Sequence, residues 1–354
     1  MTKRILIDLS HLGSFCGFGN ICDNYAPRIA RADLGDVRLV LMVPERYVGA
    51  FGDGVDYVAR EHALRDLHRL NAHIDLWHST DQLFGFRLPM KGTKYLLTVH
   101  DLNFLYEKKH VHKLKYVLRM YFRLRHSDYI TTISNYARDD VKAHYRVDSK
   151  FKGVIYNGIQ DMDMSNMRKP DFIADENEKF FFTIGQIREK KNFHKLVPMM
   201  KHFPDHKLYI CGDKHFRFSR EHLIPLVEKT GEGRVVLTGK ITDAEKQWMY
   251  AHAQAFLFPS RLEGFGLPVL EAMRFGCRVF SSRMSSLPEV CGPHACYFDS
   301  LEPQAMADVV RAEVARWDRD GEEARAARTY SEGFTYEKYT QAYVSLYKRL
   351  LAEG

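Results

Sequence analysis

Two doubly wound α/β domains are the architecture this chain predicts, and three observations predict it. Short apolar or β-branched runs alternate with helical stretches. The alternation occurs twice, with a polar, aperiodic stretch between. At 354 residues the chain is also long for a single core.

The first half supplies the runs RILIDLS, VRLVLMVP, IDLWHS, YLLTVHD, DYITTIS and GVIYN, with helical stretches such as 110–125 and 135–145 between them. The second supplies FFFTIGQ, KLYICGD, RVVLTGK, AFLFPS, RVFSS and ACYFD. Strands joined through helices run parallel, so each set forms a sheet covered on both faces. The stretch 157–179 is polar, acidic and without period, which sets the expected boundaries: a first Rossmann-like domain over 1–160, a linker over 161–179 and a second such domain over 180–335. The remainder, 336–354, reads as an amphipathic helix. Its Tyr336, Tyr339, Tyr343, Leu346, Tyr347 and Leu350 keep a 3/4 spacing, and such a face must dock on apolar surface.

Hydrophobic residues at 45% and charged residues at 27% are ordinary for a globular chain and argue against disorder. The 6 cysteines form neither a C-x-x-C pair nor a zinc spacing, so buried thiols in a reducing compartment are expected rather than disulfides. MTKRILIDLS is too short, and interrupted by Asp8, to be a signal peptide, and no run approaches the ~18 apolar residues that span a bilayer. The expected location is cytoplasmic, or peripheral on the inner face of the cell membrane. The formal charge of +7 suits nucleic acid, an anionic membrane and a phosphorylated substrate alike.

The most informative stretch is PSRLEGFGLPVLEAMRFG, residues 259–276. AFLFPS before it is a strand, and Pro268 with Val269, Leu270, Ala272 and Met273 starts a helix that Gly276 ends. The strand-to-helix turn therefore directs backbone N–H groups and the positive end of a helix dipole over Phe265, Gly266 and Leu267. Glu263 lies in that turn and Glu271 about one turn into the helix. Two carboxylates repel a bare phosphate but accept hydroxyl donors well. A diphosphate flanked by two polyols, that is a sugar nucleotide, satisfies both requirements. The competing reading is a pair of solvated acids that merely complement the dipole.

In FFFTIGQIREKKNFHKLV, Gly185 ends a strand, and Arg188, Lys190 and Lys191 share the loop that follows. They are either a solvated charge run or a diphosphate clamp. Gly17 and Gly19 of CGFGN precede another helix and form a tight turn or a turn facing an anion. His100, with Asp101 at the end of YLLTVHD, is a satisfied structural residue or a polar contact at a strand's carboxyl end.

Taken together, EGFGLPVLEA, SSLPEV, TISNYARDD, VIYNGI, TVHDL and the glycine turn at 17–19 make the chain resemble a GT-B fold retaining glycosyltransferase of family 4, the E-x7-E type. The resemblance spans nearly the whole chain. It implies two Rossmann-like domains facing across a cleft, an acceptor-binding N-terminal domain, a nucleotide-sugar-binding C-terminal domain, and a final helix crossing back to the first. It implies that Glu271 holds the ribose and that Glu263 lies by the transferred sugar. Backbone N–H groups near Phe265, Gly266 and Leu267 would meet donor sugar or phosphate, and the basic loop would take the diphosphate. His100 would touch the donor sugar. Many members carry arginine directly after the loop glycine where this chain has Gln186, so the clamp must draw on Lys191 with either Lys190 or Arg188.

The resemblance further implies transfer of a hexose, mannose favoured, from a GDP- or UDP-linked sugar to a glycan or lipid-linked acceptor in bacterial surface-polysaccharide assembly. It implies retention, with no metal and no further cofactor. The rival enzyme readings are a GT-B epimerase and an inverting transferase. A rival of another class, prompted by the charge, is a nucleic-acid-binding protein, but nucleic acid is not an expected partner. The surplus charge has a better candidate in KKHVHKLKYVLRMYFRLRH, residues 108–126. There Leu114, Val117, Leu118, Tyr121 and Leu124 form an apolar stripe, and Lys108, His112, Lys115, Arg119, Arg123 and His126 a basic one. That helix either packs on the core with a solvated outer face or holds the chain to an anionic membrane.

Overall fold

The structure, a computed structural model, describes residues 2–14, 16–70, 73–83, 90–108, 110–162 and 164–353. It divides into two compact units, Met1–Gln160 with Thr335–Gly354, and Asp161–Phe334.

In the first unit the strands β1 (Lys3–Asp8), β2 (Val37–Val43), β3 (Asp56–Ala59), β4 (Leu76–Ser79), β5 (Lys94–Val99), β6 (Tyr129–Thr132) and β7 (Phe151–Val154) form one sheet in the order β3-β2-β1-β4-β5-β6-β7. Their pairings are parallel. Successive side chains of a strand face opposite sides, so β1 feeds two cores at once. Ile5 and Ile7 pack in the core that holds Tyr25 and the C-terminal tyrosines, whereas Leu6 joins Val40, Met42, Trp77 and Tyr95 on the other face.

The final helix, Tyr336–Glu353, closes the first of these cores with Tyr339, Tyr343, Leu346, Tyr347 and Leu350. Buried phenols need partners, and here they share a chain of hydrogen bonds. The hydroxyls of Tyr25 and Tyr347 lie 2.9 Å apart, and Tyr347 is 2.6 Å from His78 Nδ1. His78 Nε2 is 2.8 Å from the Thr98 hydroxyl, which is 2.7 Å from that of Tyr343. Burial pushes the His78 imidazole down to about 3, so it stays neutral and can both donate and accept. The chain enters this helix beside Ile159, which bridges Thr335. A side chain on Gly158 would reach within 2.3 Å of the Tyr336 backbone nitrogen, so only glycine lets the two segments pass.

The second unit repeats the topology with β8 (Phe180–Ile184), β9 (Lys207–Cys211), β10 (Val235–Gly239), β11 (Ala255–Phe258), β12 (Val279–Ser282) and β13 (Cys296–Phe298), ordered β10-β9-β8-β11-β12-β13. Both sheets thus have the doubly wound order, in which the chain starts centrally, runs outward and then returns to build the other side. Residues 161–179, read from the sequence as a linker, belong to this unit. Ile173 is buried, Phe172 lies 5.3 Å from the ring of Tyr209, and Arg168 N–H donates to Ala244 O at 3.2 Å.

The basic stretch 108–126 is only partly packed. The helix runs over His110–Arg125 and buries only Met120 and Leu124, while Leu114, Leu118 and Tyr121 of the apolar stripe are exposed. Lys109 of this stretch lies outside the described residues, as does Gly354 at the end of the last helix.

Tyr347→Phe leaves the Tyr25 hydroxyl and His78 Nδ1 each without a hydrogen-bond partner. The variant is expected to lose about 1–3 kcal/mol of stability, read as a lowered urea midpoint with an unchanged slope.

Candidate functional site

The carboxyl edge of the second sheet gathers the basic and acidic loops. The end of β8 and the end of β9 meet through two glycines. Gly185 has φ 153° and Gly212 φ 143°, and a Cβ on Gly212 would lie 1.9 Å from Gly185 O. Only glycine at that second position allows the approach. Beyond Gly185 the chain forms a short turn over Glu189–Lys191 and leaves it through Asn192 at φ 56°, a left-handed conformation that asparagine tolerates.

Asn192 and its neighbours bind this loop to the one after β11. The Asn192 amide donates to Pro259 O at 3.1 Å, and Arg261 N–H donates to Lys190 O at 2.8 Å. Lys191 Nζ then meets Glu263 Oε1 at 2.5 Å, with both side chains largely buried, and sits 4.9 Å from the centre of the Phe258 ring. Arg188 is directed elsewhere, its guanidinium 4.7 Å from the ring of Phe216.

Glu263 is fixed from the far side as well. Its N–H donates to the Ser285 hydroxyl at 3.0 Å, and the Ser286 hydroxyl donates to the carbonyls of Glu263 and Phe265 at 3.0 and 2.8 Å. Gly266 caps the helix Leu267–Arg274 at φ 119° and ψ 46°, and no side chain takes the cap hydrogen bond. A Cβ there would meet Leu287 at 2.8 Å. Pro268 suits the first turn, where a missing N–H costs nothing. Phe265 packs inward, with its ring 6.0 Å from that of Phe334.

Glu271 is buried on the helix, at 4% exposure. A carboxylate there needs partners, and the helix Asp243–His252 provides two. Tyr250 donates its hydroxyl to Glu271 Oε2 at 3.0 Å, and Lys246 Nζ lies 3.4 Å from Oε1. Burial opposes charge on Lys246, yet Glu271 and Asp243 outweigh it and hold the ammonium above the usual lysine value. Burial, then the neighbouring Glu271, keeps the Tyr250 phenol protonated. Neither partner was singled out from the sequence. The readable signal was the capping box of Thr242 and Glu245, which fixes the helix carrying both.

The remaining predicted residues lie in the first unit. Gly17 opens the helix Gly17–Ile29, and Gly19 N–H donates to Cys16 Sγ at 3.4 Å. A Cβ on Gly19 would lie 1.7 Å from Ser14 O. His100 is buried, its Nε2 lies 2.7 Å from Thr80 O, and its N–H donates to the Gln82 side chain at 3.0 Å. Burial lowers its imidazole below the usual histidine value, so the ring is neutral with Nε2–H donating and Nδ1 left as an acceptor. Among the described residues no helix is long and apolar enough to cross a membrane.

Comparison with known proteins follows the two units. Residues 166–332 match the family described as "Glycosyl transferases group 1", and residues 21–161 match the one described as "Glycosyltransferase Family 4". The chain is 26% identical over 219 residues to the O-antigen chain mannosyltransferase RfbU of Salmonella typhimurium, which is 61% of this chain and 59% of that protein. It is 31% identical over 175 residues to the O-antigen chain mannosyltransferase B of Escherichia coli, 47% of this chain and 45% of that one. It thus spans about half the length of these curated relatives. Among solved structures, Anabaena HepE in complex with UDP and glucose aligns at a TM-score of 0.76 and 14% identity, covering 98% of this chain and 100% of that one. That likeness shows the fold.

Lys246→Met strands the buried Glu271 charge and is expected to cost about 3 kcal/mol at neutral pH in urea unfolding. Because the folded-state Lys246 value is raised, its contribution is complete below the ordinary 10.5 and fades only as pH rises past it. Wild type and variant should therefore converge in stability above that pH.

Proposed function

This chain belongs to glycosyltransferase family 4, and on that footing we propose that it transfers a hexose, with mannose favoured, from a nucleoside-diphosphate sugar to a glycan or lipid-linked acceptor of a surface polysaccharide. The observation that carries the reading is the pairing of Lys191 with Glu263 on one side of the Gly264–Leu267 turn, with Glu271 seated one helical turn beyond. One cation and two carboxylates, spaced by a helix start, suit a diphosphate with a hydroxyl-bearing group at each end. The names of the curated relatives, both O-antigen chain mannosyltransferases, support the choice of hexose and acceptor class.

Glu271 takes the ribose. An ionised carboxylate has about four lone-pair sites. Tyr250 and Lys246 occupy one on each oxygen, so the others accept the two ribose hydroxyls without moving the side chain. Lys191 and the N–H groups of the Gly266–Leu267 turn take the diphosphate, with Lys190 as the second cation. Glu263 lies by the sugar. As the bond from the anomeric carbon to the diphosphate breaks, negative charge grows on the leaving oxygen. Cations already held in place stabilise it without reorganisation. The acceptor attacks on the leaving-group side, which gives retention, and no metal takes part in the step.

The helix His110–Arg125 supports the membrane reading more strongly than its sequence did. Val111, Leu114, Leu118, Tyr121 and Phe122 are exposed on one arc. Lys115 and Arg119 lie on the adjoining arc, also exposed. An uncovered apolar face flanked by cations suits insertion at an anionic bilayer surface, where a lipid-linked acceptor resides.

Glu271→Gln keeps the shape but weakens charge-assisted bonds of about 1.5–3 kcal/mol each, so calorimetric affinity for a nucleoside diphosphate should fall at least tenfold. Unchanged affinity in a folded variant would remove the ribose assignment.

Leu114→Ser with Leu118→Ser removes exposed apolar surface only. It should preserve the melting temperature and abolish co-sedimentation with phosphatidylglycerol vesicles at low salt. Wild type that ignores those vesicles refutes the membrane reading.

A further inference from the structure

We propose that a cavity between the carboxyl end of the helix His110–Arg125 and the segment 144–150 seats a phosphate group, supplied by the headgroup of an anionic lipid. The cavity has a volume of about 390 Å³, within the range of small-molecule sites. Buried Leu124 and Val147 give it apolar wall, and Arg125, Arg146, Tyr121 and Tyr145 line it as well. None of the described residues lining it is acidic. It lies in the first unit, whereas Lys191, Glu263 and Glu271 belong to the second.

Arg125 and Arg146 are exposed, and among the described residues neither guanidinium has an ion pair or a hydrogen bond. Two cations that share a cavity repel each other, and an anion between them removes that cost. Guanidinium groups suit phosphate, since each presents paired N–H donors in one plane. Tyr145 adds an independent sign of a missing ligand. Its hydroxyl is buried and has no hydrogen-bond partner among the described residues, and a phosphate oxygen in the cavity would supply the acceptor. The carboxyl end of a helix ordinarily repels an anion. Here Lys150 Nζ donates to Leu124 O at 3.0 Å and to Arg125 O and Ser127 O at 2.7 Å, so an ammonium offsets those carbonyls. The nearby acids are engaged elsewhere. Asp140 accepts the Tyr106 hydroxyl and lies 3.3 Å from His144 Nδ1, Asp148 lies 2.9 Å from Lys142, and Asp128 accepts Tyr95 N–H at 2.9 Å.

A free phosphate and a lipid headgroup offer the same chemistry to these arginines, and the choice of the lipid rests on the membrane reading of the same helix. Arg125 continues the 3/4 spacing of Leu114, Leu118 and Tyr121, so the exposed apolar arc runs into the cavity. Tyr121 belongs to both. A phosphate seated there stands at the border of an apolar surface, as a headgroup phosphate stands beside its acyl chains. Tyrosine favours that border, with its ring in the apolar layer and its hydroxyl at the headgroups. A lipid gains from the arc and the arginines together, whereas a free phosphate gains from the arginines alone.

The test is arginine modification by phenylglyoxal in the folded chain, followed residue by residue by mass spectrometry. Dihexanoyl-phosphatidylglycerol, kept below its micelle concentration, should slow modification of Arg125 and Arg146 about tenfold, while exposed Arg119 of the same helix keeps its rate. Inorganic phosphate at the same concentration should protect them less. Arg146→Gln should keep the melting temperature and return Arg125 to its unprotected rate. The proposal is overturned if Arg125 and Arg146 are slowed no more than Arg119, or if Arg125 stays protected in Arg146→Gln. Equal protection by inorganic phosphate overturns the lipid as the source. Co-sedimentation with phosphatidylglycerol vesicles separates this proposal from the membrane reading. The Leu114→Ser, Leu118→Ser variant should lose the vesicles and keep the protection by monomeric lipid. Vesicle binding by wild type without that protection overturns the cavity assignment and leaves the membrane reading standing.

Discussion

In a parallel sheet every strand delivers its carboxyl end to the same edge, and where the strand order reverses, the two flanking loops depart in opposite directions. Both units of this chain obey that constraint, at the β1–β4 pair and at the β8–β11 pair. Most of the chemistry described above follows from it. The loop after β8 carries Lys191, and the loop after β11 carries Glu263. The loops after β1 and β4 carry His11 and Asp81. Residues far apart in sequence are neighbours because the sheet leaves them no other edge.

The second unit shows how much surrounding structure one buried carboxylate requires. Glu271, at 4% exposure, is met by the hydroxyl of Tyr250 and the ammonium of Lys246, as a buried carboxylate requires. Glu263 is treated differently: the serines hold its backbone and leave its side chain to Lys191. One acid is thus fixed by two side-chain partners. The other is held by a single cation.

The fold was legible because strand runs and helical periods alternate along most of the chain, and the turn at Glu263–Leu267 was legible through its glycines and Pro268. The partners of Glu271 were not, since Lys246 and Tyr250 look like ordinary helix residues and act across 25 and 21 positions. The glycines at 17 and 19 announced a turn at a helix start but not the His11–Asp81 contact, which spans 70 positions. The packing of the helix His110–Arg125 was open in the sequence for a different reason. Periodicity shows that a helix has an apolar arc, but this helix has two, and only the arc with Met120 and Leu124 is covered.

The hydrogen bond between Tyr25 and Tyr347 joins residues 322 positions apart. Contacts of that separation carry a large loop-closure cost and form late. The residues of the Asp161–Phe334 unit are made between the two parts of the first unit, so the sheet begun by the first strand must wait for the helix Tyr336–Glu353. Until then Tyr25 and the neighbouring isoleucines lack the cover that this helix gives them, so the amino-terminal half, although made first, is completed last.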